Sequence, residues 1–179
     1  MPRHSSYPMS LSLNRYPLFL FATYMMYLIS ACLAGKPVRY DAKAYHYEAI
    51  QKLMRHQQVI LACPEMLGGL ACPRQPAEII GGTAQDVLTG HAKVMTQQGE
   101  DVTQAFIIGA YKTLELAQQH QIKTAVLKEN SPSCGRNFIY DGRFSATRLA
   151  GTGVTAALLL QHGFEVCSEE EFLARLTDL

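Results

Sequence analysis

The chain alternates short apolar runs with longer amphipathic stretches. Residues 27–31, 59–62, 124–127 and 164–167 are runs of four or five mostly apolar positions, bounded by Gly, Pro or polar residues. Runs of that length that are apolar throughout predict strands buried on both faces. Between them, residues 44–56 place Tyr47, Ile50, Leu53 and Met54 on one helical face. Residues 102–119 place Val102, Phe106, Ala110, Leu114 and Ala117 on one stripe, behind Asp101 as N-cap with Gln104 in the capping-box position. Residues 153–162 are mostly apolar and predict a buried helix. Ser168 caps a last helix through Ala174, whose first turn holds Glu169, Glu170 and Glu171, where the helix dipole favours them. Residues 32–41, 64–82 and 128–135 read as loops, and the weak alternation over 86–96 reads as a hairpin.

Strands alternating with helices predict an α/β fold: a three-layer, Rossmann-like arrangement in which a mostly parallel sheet carries helices on both faces. Open sheets of this kind bind ligands at the carboxyl ends of their strands. A length of 179 residues, 48% hydrophobic and 17% charged, suits one globular domain. We assign it to residues 26–179. A net charge of +1 with scattered Lys and Arg argues against a nucleic-acid partner.

Residues 1–25 read as an N-terminal extension, either a disordered tail or sequence upstream of a start codon placed too early, since Met25 and Met26 directly precede the first strand. The competing reading takes the basic residues Arg3 and Arg15, the apolar stretch from Pro17 to Ile29 and Ser30-Ala31-Cys32 as a leader, with Cys32 acylated as in a bacterial lipoprotein. The apolar run is shorter than the roughly 20 residues a membrane span needs, so no membrane association is expected. An intracellular, cytoplasmic protein fits the rest of the chain, with lipoprotein-like export as the alternative.

The five cysteines, Cys32, Cys63, Cys72, Cys134 and Cys167, are odd in number and form no C-x-x-C pair, which excludes a disulfide scaffold and a zinc ribbon. Cys32 and Cys63 end the first two predicted strands and Cys134 lies in the loop leaving the third. A parallel sheet puts all three on the ligand-binding edge. Any one of them alone would read as a buried structural cysteine. Three together suit a metal or cluster, because soft thiolates select iron–sulfur, zinc or copper(I), and three ligands leave a position open. Glu65 stands beside Cys63 as a candidate base, or as a loop carboxylate paired with Arg74 or Lys128. Ser131 and Ser133 precede Cys134 and could orient substrate or water, or serve only the turn. Gly153 and Thr155 open a helix whose N–H groups could hold an anion or a carbonyl oxygen, or could serve only a tight helix entry. Arg39 and Asp41 could line the pocket, or Asp41 could cap the next helix. The six histidines show no metal spacing.

At these residues the sequence resembles the DUF523 proteins, whose characterised members are 2-thiouracil desulfurases. The matching stretches are residues 28–41 (LISACLAGKPVRYD), 63–70 (CPEMLGGL), 73–78 (PRQPAE), 101–103, 127–135 (LKENSPSCG), 139–142, 151–157 (GTGVTAA) and Ser168-Glu169. They follow in order over nearly everything from Met26 onward. The resemblance implies a [4Fe-4S] cluster on Cys32, Cys63 and Cys134, with the unligated iron binding the thiocarbonyl sulfur of a thiolated pyrimidine. Glu65 and Ser131 match positions of the family's motifs expected in the pocket and are assigned as catalytic, while the loop reading above supplies a substrate-binding set of Arg39, Asp41, Ser133, Gly153 and Thr155. The expected reaction is non-redox desulfuration of a small thiolated base such as 2-thiouracil. Ala42 and Cys72 depart from the family pattern. Cys72 matters because a fourth thiol on the cluster would close the open iron, leaving a sensor or structural module without catalysis. The physiological substrate and the oligomeric state stay open.

Overall fold

The computed structural model describes residues 25–177. Both readings of the first two dozen residues lie outside that range. Strands β1 (Tyr27–Ser30), β2 (Val59–Ala62), β5 (Thr124–Leu127) and β8 (Glu165–Ser168) form one sheet in the order β2-β1-β5-β8, every pair parallel. Successive residues of each strand alternate between two cores. Leu28, Ala125 and Val166 face α3 (Ala84–Leu88), α4 (Thr103–Gln119) and α5 (Val154–Gln161). Ile29, Val126 and Cys167 face α1 (Glu48–Arg55) and α6 (Glu169–Thr177). Being covered on both faces, the strands have no polar side, which is why they read as continuous apolar runs. The three-layer α/β architecture is as expected.

The segments between β2 and α4 differ from expectation. Residues 64–82 are not one loop: they hold α2 (Pro64–Leu67) and β3 (Ala77–Ile80). The hairpin expected within 86–96 instead pairs β3 with β4 (Lys93–Thr96), antiparallel. What precedes β4 is a short helix, because Thr83 and Asp86 close a reciprocal capping box. A second hairpin, β6 (Phe138–Tyr140) with β7 (Arg148–Ala150), was not legible in the hydrophobic pattern. Helix α1 starts at Glu48 rather than at residue 44. Asp41 does not cap it; that carboxylate accepts the Lys43 N–H and lies 3.4 Å from the Arg39 Nε. Asp101 accepts the Thr103 N–H, with Lys93 as its charged partner rather than Gln104. Ser168 and Glu171 form the capping box of α6.

Strand β1 lies between β2 and β5 at the centre of the sheet. Cleavage just ahead of Cys32 would remove that strand from the sheet. No helix among the described residues is long and apolar enough to cross a membrane.

Candidate active site

Because β2, β1 and β5 are parallel neighbours, the chain leaves all three at the same edge. Cys32 sits in a 3-10 turn (Ala31–Leu33) directly after β1, Cys63 between β2 and α2, and Cys134 in the loop after β5. Each cysteine is held by a different device. The Cys32 carbonyl accepts the Tyr45 N–H at 2.7 Å. Cys63 precedes Pro64, whose fixed φ suits the first turn of α2. That helix lies backbone to backbone on α4: a Cβ on Gly109 would fall 1.9 Å from the Pro64 carbonyl oxygen, and one on Gly68 2.0 Å from that of Ala105. The crossing therefore admits only glycine at both positions, and it fixes where Cys63 and Glu65 start.

The Cys134 loop docks on the N-terminus of α5. The N–H groups of Gly153, Val154 and Thr155 donate to the carbonyls of Gly135, Pro132 and Ser133 at 2.8, 2.9 and 2.9 Å. Of the sequence readings of Gly153 and Thr155, this matches the tight helix entry, since the orphan donors of the helix end are spent on the carbonyls of the cysteine loop rather than on a ligand anion. Ser133 is likewise not a substrate contact. It is fully buried, and its hydroxyl bonds that of Thr155 at 2.9 Å. Asp41 stands behind Arg39 and does not line the cavity.

Cys32, Cys63 and Cys134 line one cavity of about 370 Å³, together with Arg39, Glu65 and Ser131. Burial pushes the Cys32 thiol up to about 12, with the neighbouring Cys63 charge adding to the rise. Cys63 and Cys134 are raised too, chiefly by burial, and Cys134 also feels both other thiols. A bound cation would supply the positive charge that makes them thiolates. Cys72 stands apart: its Sγ lies 3.1 and 3.2 Å from the carbonyl oxygens of Pro37 and Arg39, outside the cavity lining. Cys167 is buried within β8.

Glu65 pairs with Arg74, Nε to Oε2 at 2.6 Å, as one of the two sequence readings had it. Arg74 is itself fixed by the Val38 and Ala71 carbonyls. The pairing orients Glu65 and leaves its Oε1 uncommitted. Ser131 Oγ accepts the N–H groups of Ser133 and Cys134, both at 3.1 Å, so its lone pairs are used and its proton is free to donate.

Several residues at or behind the wall were assigned no role from the sequence. Ser30 Oγ lies 3.6 Å from Cys134 Sγ and accepts the Lys128 N–H. The Lys128 ammonium bonds Glu169 and lies over the Tyr45 ring, which also stacks under Arg39 at 4.9 Å. Ser30 ends a strand just before a cysteine, and that position was the available clue. Tyr45 reaches the wall only through tertiary packing, and Glu169 stands behind it on Lys128.

Among the described residues, no group of three His, Cys, Asp or Glu side chains is arranged to hold a single metal ion. A single zinc would draw its thiolates to about 2.3 Å from one centre. A polynuclear cluster takes one thiolate per iron and sets its ligands farther apart. Three unpaired thiols on one cavity, one with a hydroxyl donor on its sulfur, fit such a cluster.

A model of the family described as 2-thiouracil desulfurase matches residues 27–171. The Bacillus subtilis (strain 168) protein called "Uncharacterized protein YbbK" is 52% identical over 146 residues, 82% of this chain and 97% of that one. The solved structure of the [4Fe-4S]-dependent thiouracil desulfidase TudS is similar with a TM-score of 0.75 at 39% identity, covering 87% of this chain and 99% of that chain. The chain belongs to the 2-thiouracil desulfurase family.

Proposed function

We propose that the protein is a [4Fe-4S]-dependent desulfurase that converts the C=S group of a thiolated pyrimidine, such as 2-thiouracil, to C=O with release of sulfide. The observation that carries this is the meeting of Cys32, Cys63 and Cys134 in one cavity with a carboxylate whose Oε1 is uncommitted. The likeness to TudS over nearly the whole domain supports it. When bound on three thiolates, the cluster supplies an open iron that binds and polarises sulfur.

The chain's own residues do the rest. Glu65, oriented by Arg74 through Oε2, accepts a proton from water through Oε1 and directs the water oxygen at the thiocarbonyl carbon. Ser131 donates its free hydroxyl proton as a hydrogen bond to the heteroatom on which charge develops. Arg39, held against Tyr45, closes the wall beside Cys32. The balance is one water in, its oxygen retained on the ring carbon, and sulfur leaving with the two protons as hydrogen sulfide. No electrons are exchanged. The partner is a small thiolated base, and the five unpaired cysteines suit a reducing, cytoplasmic setting.

The test is anaerobic reconstitution followed by addition of 2-thiouracil. Uracil and sulfide in equal amounts are expected, together with loss of both products and of bound iron in Cys134→Ala. An iron-loaded wild type that yields neither product overturns the activity. A Cys134→Ala protein that retains iron and turnover overturns the ligand set.

A further inference from the structure

The cavity has a second wall, made by the two hairpins rather than by the sheet edge. From β3 comes Glu78, and from the segment joining β6 to β7 comes Phe144. Glu78 is 6% exposed. Its Oε2 accepts the Phe144 N–H at 3.1 Å. Its Oε1 makes no hydrogen bond among the described residues and keeps accessible surface. No Lys, Arg or His among the described residues pairs with it. The other two carboxylates that line the cavity are compensated differently: Glu65 has the Arg74 guanidinium as counter-charge, and Glu129 accepts a ring of N–H groups on both oxygens. A buried carboxylate without a counter-charge is among the costliest groups a protein can keep. Phe144 adds to that cost, since it sits at φ +55, in the left-handed region that bulky residues avoid. The uncompensated polarity faces the cavity, where a ligand donor can relieve it.

Taking the desulfurase reading as its basis, we infer that Glu78 is a specificity residue. Its free oxygen accepts a hydrogen bond from a ring N–H flanking the thiocarbonyl. The substrate class is then a thiolactam with a free ring N–H, and a thioamide alkylated on both flanking nitrogens is excluded. A carboxylate is suited to this task. It accepts without competing donors, and its charge strengthens the bond to an acidic ring N–H. Oε2, held by Phe144, fixes the direction in which Oε1 presents its lone pairs.

The test uses the full chain loaded with its cluster under anaerobic conditions, wild type beside Glu78→Gln. The substrates are 2-thiouracil and its 1-methyl and 3-methyl derivatives. Gln keeps an oxygen for the Phe144 N–H, so iron and sulfide content and the visible spectrum should match the wild type. KM for 2-thiouracil should rise about ten- to a hundredfold in Glu78→Gln, and uracil binding measured by calorimetry should weaken by a similar factor. In wild type, at least one methylation should cost about as much, and in Glu78→Gln most of that cost should vanish. Equal KM and equal uracil affinity in the two proteins overturn the inference and leave the desulfurase reading standing. Should Glu78→Gln fail to load, wild type alone decides: methyl derivatives handled as well as the parent also overturn it. A loaded wild type that releases no sulfide overturns the desulfurase reading, and the uracil comparison still judges Glu78.

Discussion

Replacing Glu129 by Gln tests how the third cysteine is positioned. Glu129 is 6% exposed and follows Lys128 at the start of the Cys134 loop. Its Oε1 accepts the N–H groups of Asn130, Arg136, Asn137 and Phe138 at 3.3, 2.9, 3.1 and 3.0 Å. Its Oε2 accepts the Asn137 N–H and side-chain amide, both at 3.2 Å. One carboxylate thus closes the loop on itself around Ser131 and Cys134. A Gln oxygen at the Oε1 site would keep the larger group of bonds in weaker, neutral form, since charge-assisted bonds are about twice as strong. Its NH2 group would then face Asn137's donors, and each buried donor left unpaired costs about 1–3 kcal/mol. Such losses are not additive, so we expect a net cost of about 3 kcal/mol. For a chain of this length, about 2–4 °C per kcal/mol gives a fall in Tm of about 6–12 °C. Thermal unfolding followed by circular dichroism at neutral pH reads it directly. Iron retained after a mild chelator reads the effect on the cluster, which should fall because the loosened segment carries Cys134. A Tm within about 2 °C of wild type and unchanged iron retention would refute the reasoning, because the carboxylate would then be dispensable to the loop.

Three further outcomes follow from the same structure. In Gly153→Ala the new Cβ would lie 2.4 Å from the Ser133 carbonyl carbon and 2.7 Å from the Cys134 nitrogen, so the cysteine loop must leave α5; we expect about 3 kcal/mol or more of destabilisation in thermal unfolding, with loss of bound iron. The Asp101 carboxyl is lowered to about 2 by its hydrogen bonds with Thr103 and Lys93. Its stabilising contribution is therefore complete above about pH 4 and lost as pH falls toward the folded value. Asp101→Asn should flatten that part of the acid limb of a Tm-versus-pH curve, by about 1 kcal/mol after allowing for solvent screening of a half-exposed side chain, and curves that stay parallel would count against it. Cys72→Ser should leave iron content and visible spectrum unchanged, because its sulfur is turned onto the Pro37 and Arg39 carbonyls; a changed spectrum would mean the thiol enters the site.

The four sheet strands were legible because a strand buried on both faces has to be apolar at every position, and a short apolar run has few alternatives in a chain of this composition. From their parallel order the shared edge of Cys32, Cys63 and Cys134 follows without any local motif. The hairpins were not legible because their burial is uneven. Glu78 interrupts the apolar pattern of β3 for a reason that lies in the cavity, and β7 is exposed along its whole length. Gly153 and Thr155 were ambiguous for a different reason. A glycine-opened helix presents the same sequence whether its N–H groups meet an anion or a neighbouring loop, and here the loop's carbonyls occupy them.

That last point bears on how the three thiols keep their spacing. Cys134 is set by the N-terminus of α5, and α5 packs on α4. Helix α4 in turn takes α2 backbone to backbone at Gly109, and α2 begins beside Cys63. Two of the thiols are therefore placed relative to each other through one shared helix, while Cys32 is placed by the pairing of β1 with both neighbours. A metal motif with close ligand spacing carries its geometry in the local chain. Here the three cysteines are dozens of residues apart, and their geometry resides in backbone contacts that admit only glycine. Substitutions at Gly109 or Gly153, where no side chain reaches the cavity, should therefore disturb the cluster site as severely as changes to residues that line it.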